Sequence, residues 1–145
     1  MSVVSMTTSI DTNVIVSLWQ EDNAISAAAE AAMELAYHWG NLVIAAPVFS
    51  ELIAAPGRTE AFVTAMLEEN RIAIDWDLSE AVWRAAGRAF QGYAERRRQQ
   101  GEPGPRRILA DFLIGAHAQI RGYRLLSLDE RLYRAAFPDL KVETV

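Results

Sequence analysis

Leu42-Val43-Ile44-Ala45 is an unbroken apolar run, and no other feature restricts the fold of this chain as much. A strand with one wet face alternates apolar and polar side chains, whereas a run without alternation belongs to a strand covered on both faces. Parallel strands flanked by helices are the usual setting for such a run. Gly40-Asn41 ends a helical stretch just before the run, and Pro47 suits the first turn of a helix just after it. Helix, buried strand, helix is therefore the local order.

The same alternation extends along the chain. A short apolar stretch ending in Ser9-Ile10-Asp11 reads as a first strand, and Val14-Ile15-Val16 enters a helix. Asp22 or Asn23 caps a second, alanine-rich helix from Ala24 to Trp39. After the strand Leu42–Ala45, helices are expected over Val48–Ala55 and Arg58–Asn70, separated by Pro56-Gly57, and a third strand over Arg71–Trp76. Asp77 and Glu80 have capping-box spacing and open a long helix through about Arg98. Gly101-Glu102-Pro103-Gly104-Pro105 breaks it. A helix over Ile108–Arg121, stopped by Gly122, leads into a fourth strand, Arg124–Ser127. A short helix, Glu130–Phe137, and an edge strand, Leu140–Glu143, complete the chain. Strands alternating with helices imply an α/β fold, a three-layer α/β/α sandwich around a mostly parallel sheet of about four to five strands. The length, 145 residues, suits one domain spanning 1–145.

Charge and cysteine content narrow the function. A net charge of −5 argues against a protein that coats nucleic acid by bulk attraction, but not against a nuclease whose metal supplies positive charge. The chain has no cysteine, which removes disulfides, zinc–thiolate sites and cysteine nucleophiles and suits a reducing compartment. The opening residues, Met1 to Thr8, show neither a basic n-region nor a long apolar segment, and no stretch reaches the ~18 apolar residues of a membrane span. A soluble, cytoplasmic protein without membrane contact is the expectation.

Carboxylates stand where apolar residues would cost less. Asp11 follows Ile10 at the carboxyl end of strand one, and Asp129 follows Leu126-Ser127-Leu128 at the carboxyl end of strand four. In open α/β sheets ligands bind outside the carboxyl ends of the strands, near the point where strand order reverses. Asp111 lies within Ile108-Leu109-Ala110-Asp111-Phe112-Leu113-Ile114, and its helical neighbours Ile114, Gly115 and Ala118 make its face apolar and small. Glu51 has the same anomaly in Val48-Phe49-Ser50-Glu51-Leu52-Ile53. Any one of these acids could be paired with an arginine or cap a helix. Four together suggest a carboxylate cage for a hard divalent cation, with one acid free to orient the attacking water.

Ser9-Ile10-Asp11-Thr12-Asn13, Pro47-Val48-Phe49-Ser50-Glu51-Leu52, Ala110-Asp111-Phe112-Leu113-Ile114-Gly115-Ala116-His117-Ala118 and Leu126-Ser127-Leu128-Asp129 resemble, in order, the motifs of PIN-domain nucleases. The resemblance spans nearly the whole chain and looks closest to the VapC-like toxins of type II toxin–antitoxin systems. It implies endonucleolytic cleavage of RNA dependent on magnesium, with manganese as a substitute. It also implies a cognate antitoxin and a homodimer. Asp11, Glu51, Asp111 and Asp129 take the acidic positions as catalytic and metal-binding residues, and Asn13 and Ser127 take the polar positions beside them. Leu132 stands where the family often has an aromatic, with Tyr133 adjacent, a departure expected to touch packing only.

Arg96-Arg97-Arg98 and Arg106-Arg107 flank the Gly/Pro loop, where a phosphate-binding rim for RNA competes with a solvated helix end. The first cluster reads as the helix end, and Arg107, four residues before Asp111, as the better candidate contact for substrate or carboxylate. His117 falls on a different helical face from Asp111 and reads as a packing or surface residue, and the four tryptophans read as core or partner-interface residues. Two rival readings stand beside the ribonuclease. A phosphatase of the haloacid dehalogenase type also has an aspartate after strand one, but it needs a second where this chain has Asn13, and a lysine well before Lys141. A PIN fold that has lost activity and only binds protein is the other; an acid locked to an arginine so that metal is blocked would favour it.

Overall fold

β1 (Thr8–Ile10) is buried along its length and holds the centre of a five-stranded sheet. The other strands are β2 (Leu42–Ala45), β3 (Ile72–Asp75), β4 (Arg124–Ser127) and β5 (Val142–Thr144), in the order β3-β2-β1-β4-β5. The structure is a computed structural model that describes residues 6–20, 24–104 and 107–145. Every strand pairing is parallel, so the sheet is fully and not just mostly parallel. The expected caps Asp22 and Asn23 lie outside the described residues.

The chain steps outward from β1 to β2 to β3, then crosses back over the sheet to β4 and ends at β5. Right-handed crossovers put α1 (Thr12–Leu18), α2 (Ala24–Trp39), α3 (Ala46–Ala54) and α4 (Glu60–Glu69) on one face. They put α5 (Glu80–Gln99), α6 (Leu109–Arg121) and α7 (Glu130–Ala136) on the other. Strand order therefore reverses between β1 and β4, whose carboxyl ends flank a crevice. Phe112 and Ile114 of α6 are fully buried, and each side chain contributes roughly 2–3 kcal/mol by leaving water. Phe112 stacks on Phe90 of α5 at a centroid distance of 4.6 Å, which pins the two longest elements of this face together. Among the described residues no helix is long and apolar enough to cross a membrane.

Several boundaries differ from the expectation, each for a local reason. α5 is capped by Ser79, whose hydroxyl accepts from the Val82 amide, and not by Asp77. The Asp77 amide instead donates to the Asp75 carboxylate at 3.1 Å, a turn that keeps residue 77 out of the helix. α4 starts after Thr59, whose hydroxyl accepts from the Phe62 amide. α3 follows β2 with no intervening loop, so Pro47 sits in its first turn. β5 begins two residues later than expected, at Val142. Trp39, Trp76 and Trp83 are exposed and Trp19 is half-buried, so none of the tryptophans fills the core.

His117 is fully buried, a packing histidine rather than a surface one, and its Nε2 lies 2.8 Å from Asp75 Oδ2. Burial pushes the Asp75 carboxyl up, but hydrogen bonds from His117 and the Asp77 amide, with the charges of His117 and Arg121, outweigh it and hold the group below the ordinary carboxylate range. This pair ties α6 to the end of the edge strand β3. No sequence motif marks it, although an acid closing an apolar strand was a visible signal.

Candidate active site

Asp11 is the first residue after β1, and its carboxylate caps α1 by accepting from the Thr12 amide at 2.8 Å. Its second oxygen accepts from Ser127 Oγ, at the end of β4, at 2.7 Å. Ser127 Oγ in turn accepts from the Asp129 amide at 2.9 Å, and Asn13 Oδ1 accepts from the Leu128 amide at 3.1 Å. Ser127 and Asn13 thus fasten the segment carrying Asp129 to the segment carrying Asp11, across the reversal of strand order. Glu51, on α3, accepts from Thr12 Oγ1 at 2.6 Å. α3 also touches α6, which brings Glu51 toward the first turn of α6, where Asp111 lies.

Electrostatics join the four acids. Burial pushes the Asp111 carboxyl up to about 6, helped by the charges of Asp11, Glu51 and Asp129 and opposed by Arg107. Asp11, almost fully buried, is also raised, by burial first, against hydrogen bonds from Ser127 and the Thr12 amide. Asp11, Glu51 and Asp129 therefore all lie within electrostatic reach of Asp111.

They are not equally free. Arg107 Nη2 lies 2.5 Å from Asp129 Oδ2, in a pair whose arginine is exposed and whose carboxylate is half-buried. Arg107 precedes the first turn of α6, so the helical spacing that pointed it at Asp111 does not apply; its contact is the carboxylate of Asp129. Among the described residues no three acidic or histidine side chains form a ready-made metal cage. The donor set nevertheless fits magnesium, which binds through one or two carboxylates and keeps water and substrate phosphate as further ligands. Asp11 and Asp111 form such a pair, hard oxygen donors left without an arginine of their own. Burial and repulsion disfavour their joint ionisation until a cation arrives.

Sequence reasoning assigned Tyr133 to packing, and its chemistry went unseen. The side chain is buried and its hydroxyl makes no hydrogen bond of standard geometry, yet it lies close enough to Asp11 to favour that carboxylate's charged form. Burial and the charges of Asp11 and Asp111 raise the phenol far above its ordinary value, so it stays protonated. The visible signal was a tyrosine four residues after Asp129, on the inner face of a short helix.

No curated protein matches the chain in sequence. In structure it is similar to VapBC-1 from nontypeable Haemophilus influenzae, with TM-score 0.66 and 18% identity over 96% of this chain and 98% of that one. It is similar to VapBC2 from Rickettsia felis, solved bound to a DNA fragment from their promoter, with TM-score 0.64 and 19% identity over 96% and 98%. DNA-bound VapBC from Salmonella typhimurium follows, with TM-score 0.63 and 17% identity over the same shares of the chains. At these identities the likeness establishes the fold. The sequence itself matches the PIN domain family over residues 9–138, a span that takes in all four acids, the whole of β4 and all but the first residue of β1. The chain belongs to the PIN domain family, whose members are generally nucleases.

Proposed function

We propose that this chain is a magnesium-dependent endoribonuclease, the toxin of a type II toxin–antitoxin pair. The observation that carries the reading is the buried Asp11 carboxylate, held by Ser127 across the reversal of strand order between β1 and β4, with Asp111 of α6 within electrostatic reach. Asp11 and Asp111 would hold the cation, and Glu51 and Asp129 would complete its surroundings directly or through water. When bound, magnesium lowers the pKa of a coordinated water and stabilises charge on the phosphate. The chain's own residues do the positioning. Ser127 and the Thr12 amide fix both oxygens of Asp11, Thr12 fixes Glu51 for orienting water, and Arg107 stands ready to exchange Asp129 for a substrate phosphate.

The Arg107–Asp129 pair favours a second reading, an inactive module that only binds protein. It is weaker support, because Arg107 itself is exposed and the pair leaves Asp11 and Asp111 without an ion pair. Purified protein incubated with labelled total RNA is expected to give discrete fragments with magnesium or manganese and none with a chelator. Intact RNA across several pools and both metals would move the assignment to the inactive module.

The partner side of the proposal rests on a groove of about 490 Å³ between α2 and α4. Leu18, Met33 and Leu42 line it with apolar surface, and Glu30, Glu34 and Glu69 give it an acidic rim. That chemistry suits a basic, amphipathic segment of the cognate antitoxin. Charge reversal at Glu30 and Glu69 is expected to weaken the complex at least tenfold by calorimetry, while RNA cleavage by the free chain persists. Unchanged affinity would place the antitoxin elsewhere, and loss of a homodimer in its place would assign the groove to a second copy.

A further inference from the structure

Beside the acidic crevice lies a cleft of about 640 Å³ with the opposite charge. Arg96, Arg97, Arg107 and Arg131 line it against a single carboxylate, Asp129, which Arg107 already neutralises. A chain with a net charge of −5 has thus gathered four of its 14 basic residues at one opening. Two of them have structural duties. Arg97 donates to the carbonyls of Gly104 and Pro103, at 2.6 and 3.0 Å, and so braces the turn after α5, while Arg107 holds Asp129. Arg96 and Arg131 form no ion pair among the described residues, although Arg96 is half-buried. Neighbouring arginines in the same regions behave differently: Arg98 pairs with Glu95, and Arg134 with Glu130 at 3.1 Å. Within residues 96–98 and 131–134 the arginines without an ion pair are thus the two that line the cleft.

Gathering like charges without counter-ions costs stability, and a polyanion relieves it. The placement of the arginines favours one kind. They lie together at a single opening, between the end of α5 and the start of α7, which suits one strand, whereas a duplex needs contacts spread over two grooves. We propose that this cleft is the subsite for an unpaired RNA strand flanking the cleaved bond, with Arg96 and Arg131 as its phosphate contacts. The proposal rests on the reading of the acidic crevice as a ribonuclease site and adds the direction in which substrate leaves it.

The test uses the full chain with Asp111→Asn as a non-cleaving background. Anisotropy of a labelled unpaired 12-nucleotide RNA is followed across a salt series, next to a duplex of the same sequence. Arg96→Gln with Arg131→Gln is expected to weaken binding roughly tenfold or more and to lower the log–log salt slope by about 1.4, or about 0.7 for each arginine. Arg131→Gln alone, at an exposed position, is expected to lower the slope by about 0.7, which guards against misfolding of the double variant. Unchanged affinity and slope, or preference for the duplex, would overturn the proposal. Cleavage by the unmodified chain is assayed in parallel. Absent cleavage with an arginine-dependent slope would remove the ribonuclease reading and leave the cleft as a strand-binding site.

Discussion

Asp111→Asn is expected to lower RNA cleavage by about a thousandfold, or roughly 4 kcal/mol of transition-state stabilisation, while raising the stability of the metal-free protein at pH 8. The two effects have one cause. The Asp111 carboxyl ionises in the fold at about 6, above its ordinary value of 3.8, because burial and the charges of Asp11, Glu51 and Asp129 oppose its negative form. A folded-state value above the unfolded one means that its favourable contribution is complete below pH 3.8 and is lost as pH rises through about 6. At pH 8 the charged, half-exposed group costs about 1 kcal/mol once solvent screening is counted, and the amide removes that cost. A rise in Tm of about 2–4 °C follows at pH 8, shrinking toward zero at pH 4. Magnesium reverses the ranking, stabilising the natural protein at pH 8 and leaving the variant unmoved. Thermal unfolding over pH 4–8, with and without magnesium, reads all of this. Equal pH dependence in the two proteins, or full cleavage by Asp111→Asn, would remove Asp111 from the site.

What the sequence disclosed of this site follows from the range of the forces involved. Asp11 and Asp129 were legible because the carboxyl ends of buried strands are fixed by local apolar runs, and β1 and β4 then pair as neighbours. Asp111 was legible because helical periodicity alone turns it onto a small apolar face. The Arg107–Asp129 pair joins residues 22 positions apart on separate elements, and no periodicity relates them. The Asp75–His117 pair spans 42 positions for the same reason. The cap of α5 shows a subtler limit. Asp77 and Ser79 are both good caps by residue type, and the choice fell to Ser79 because Asp75, at the end of β3, takes the Asp77 amide. Local chemistry offered two answers, and the strand ending decided. A basic rim beside the Gly/Pro loop was open to sequence reasoning, but not which arginines face one opening: Arg97 braces the turn, Arg98 pairs with Glu95, and Arg131 joins Arg96 from a separate helix.

Gly115→Ala is expected to destabilise the protein by about 1–3 kcal/mol, against the gain of about 1 kcal/mol that alanine brings to a helix interior. Gly115 lies on α6, one turn after Asp111, where a side chain has no room. A Cβ there would meet the Phe137 ring, with Cδ2 at 2.7 Å and Cζ at 3.0 Å and the nearest ring carbon closer still. Phe137 is buried at the end of α7 and packed into the same core as Tyr133, so its ring cannot swing into solvent. Relief must come from separating α6 from α7, which also moves Asp111 away from Asp129. Stability and cleavage should therefore fall together, with Tm lower by about 3–10 °C. Phe137→Leu, which shortens the obstructing side chain, is expected to cost stability by itself yet to recover part of the loss when combined with Gly115→Ala. The double-mutant coupling should then be about 1 kcal/mol or more, with the sign of relieved strain. A neutral or stabilising Gly115→Ala would mean that helix propensity alone governs the position and that α6 and α7 have slack between them. The measured sign thus decides whether the spacing of the two helices that carry Asp111 and Asp129 is set by this one missing side chain.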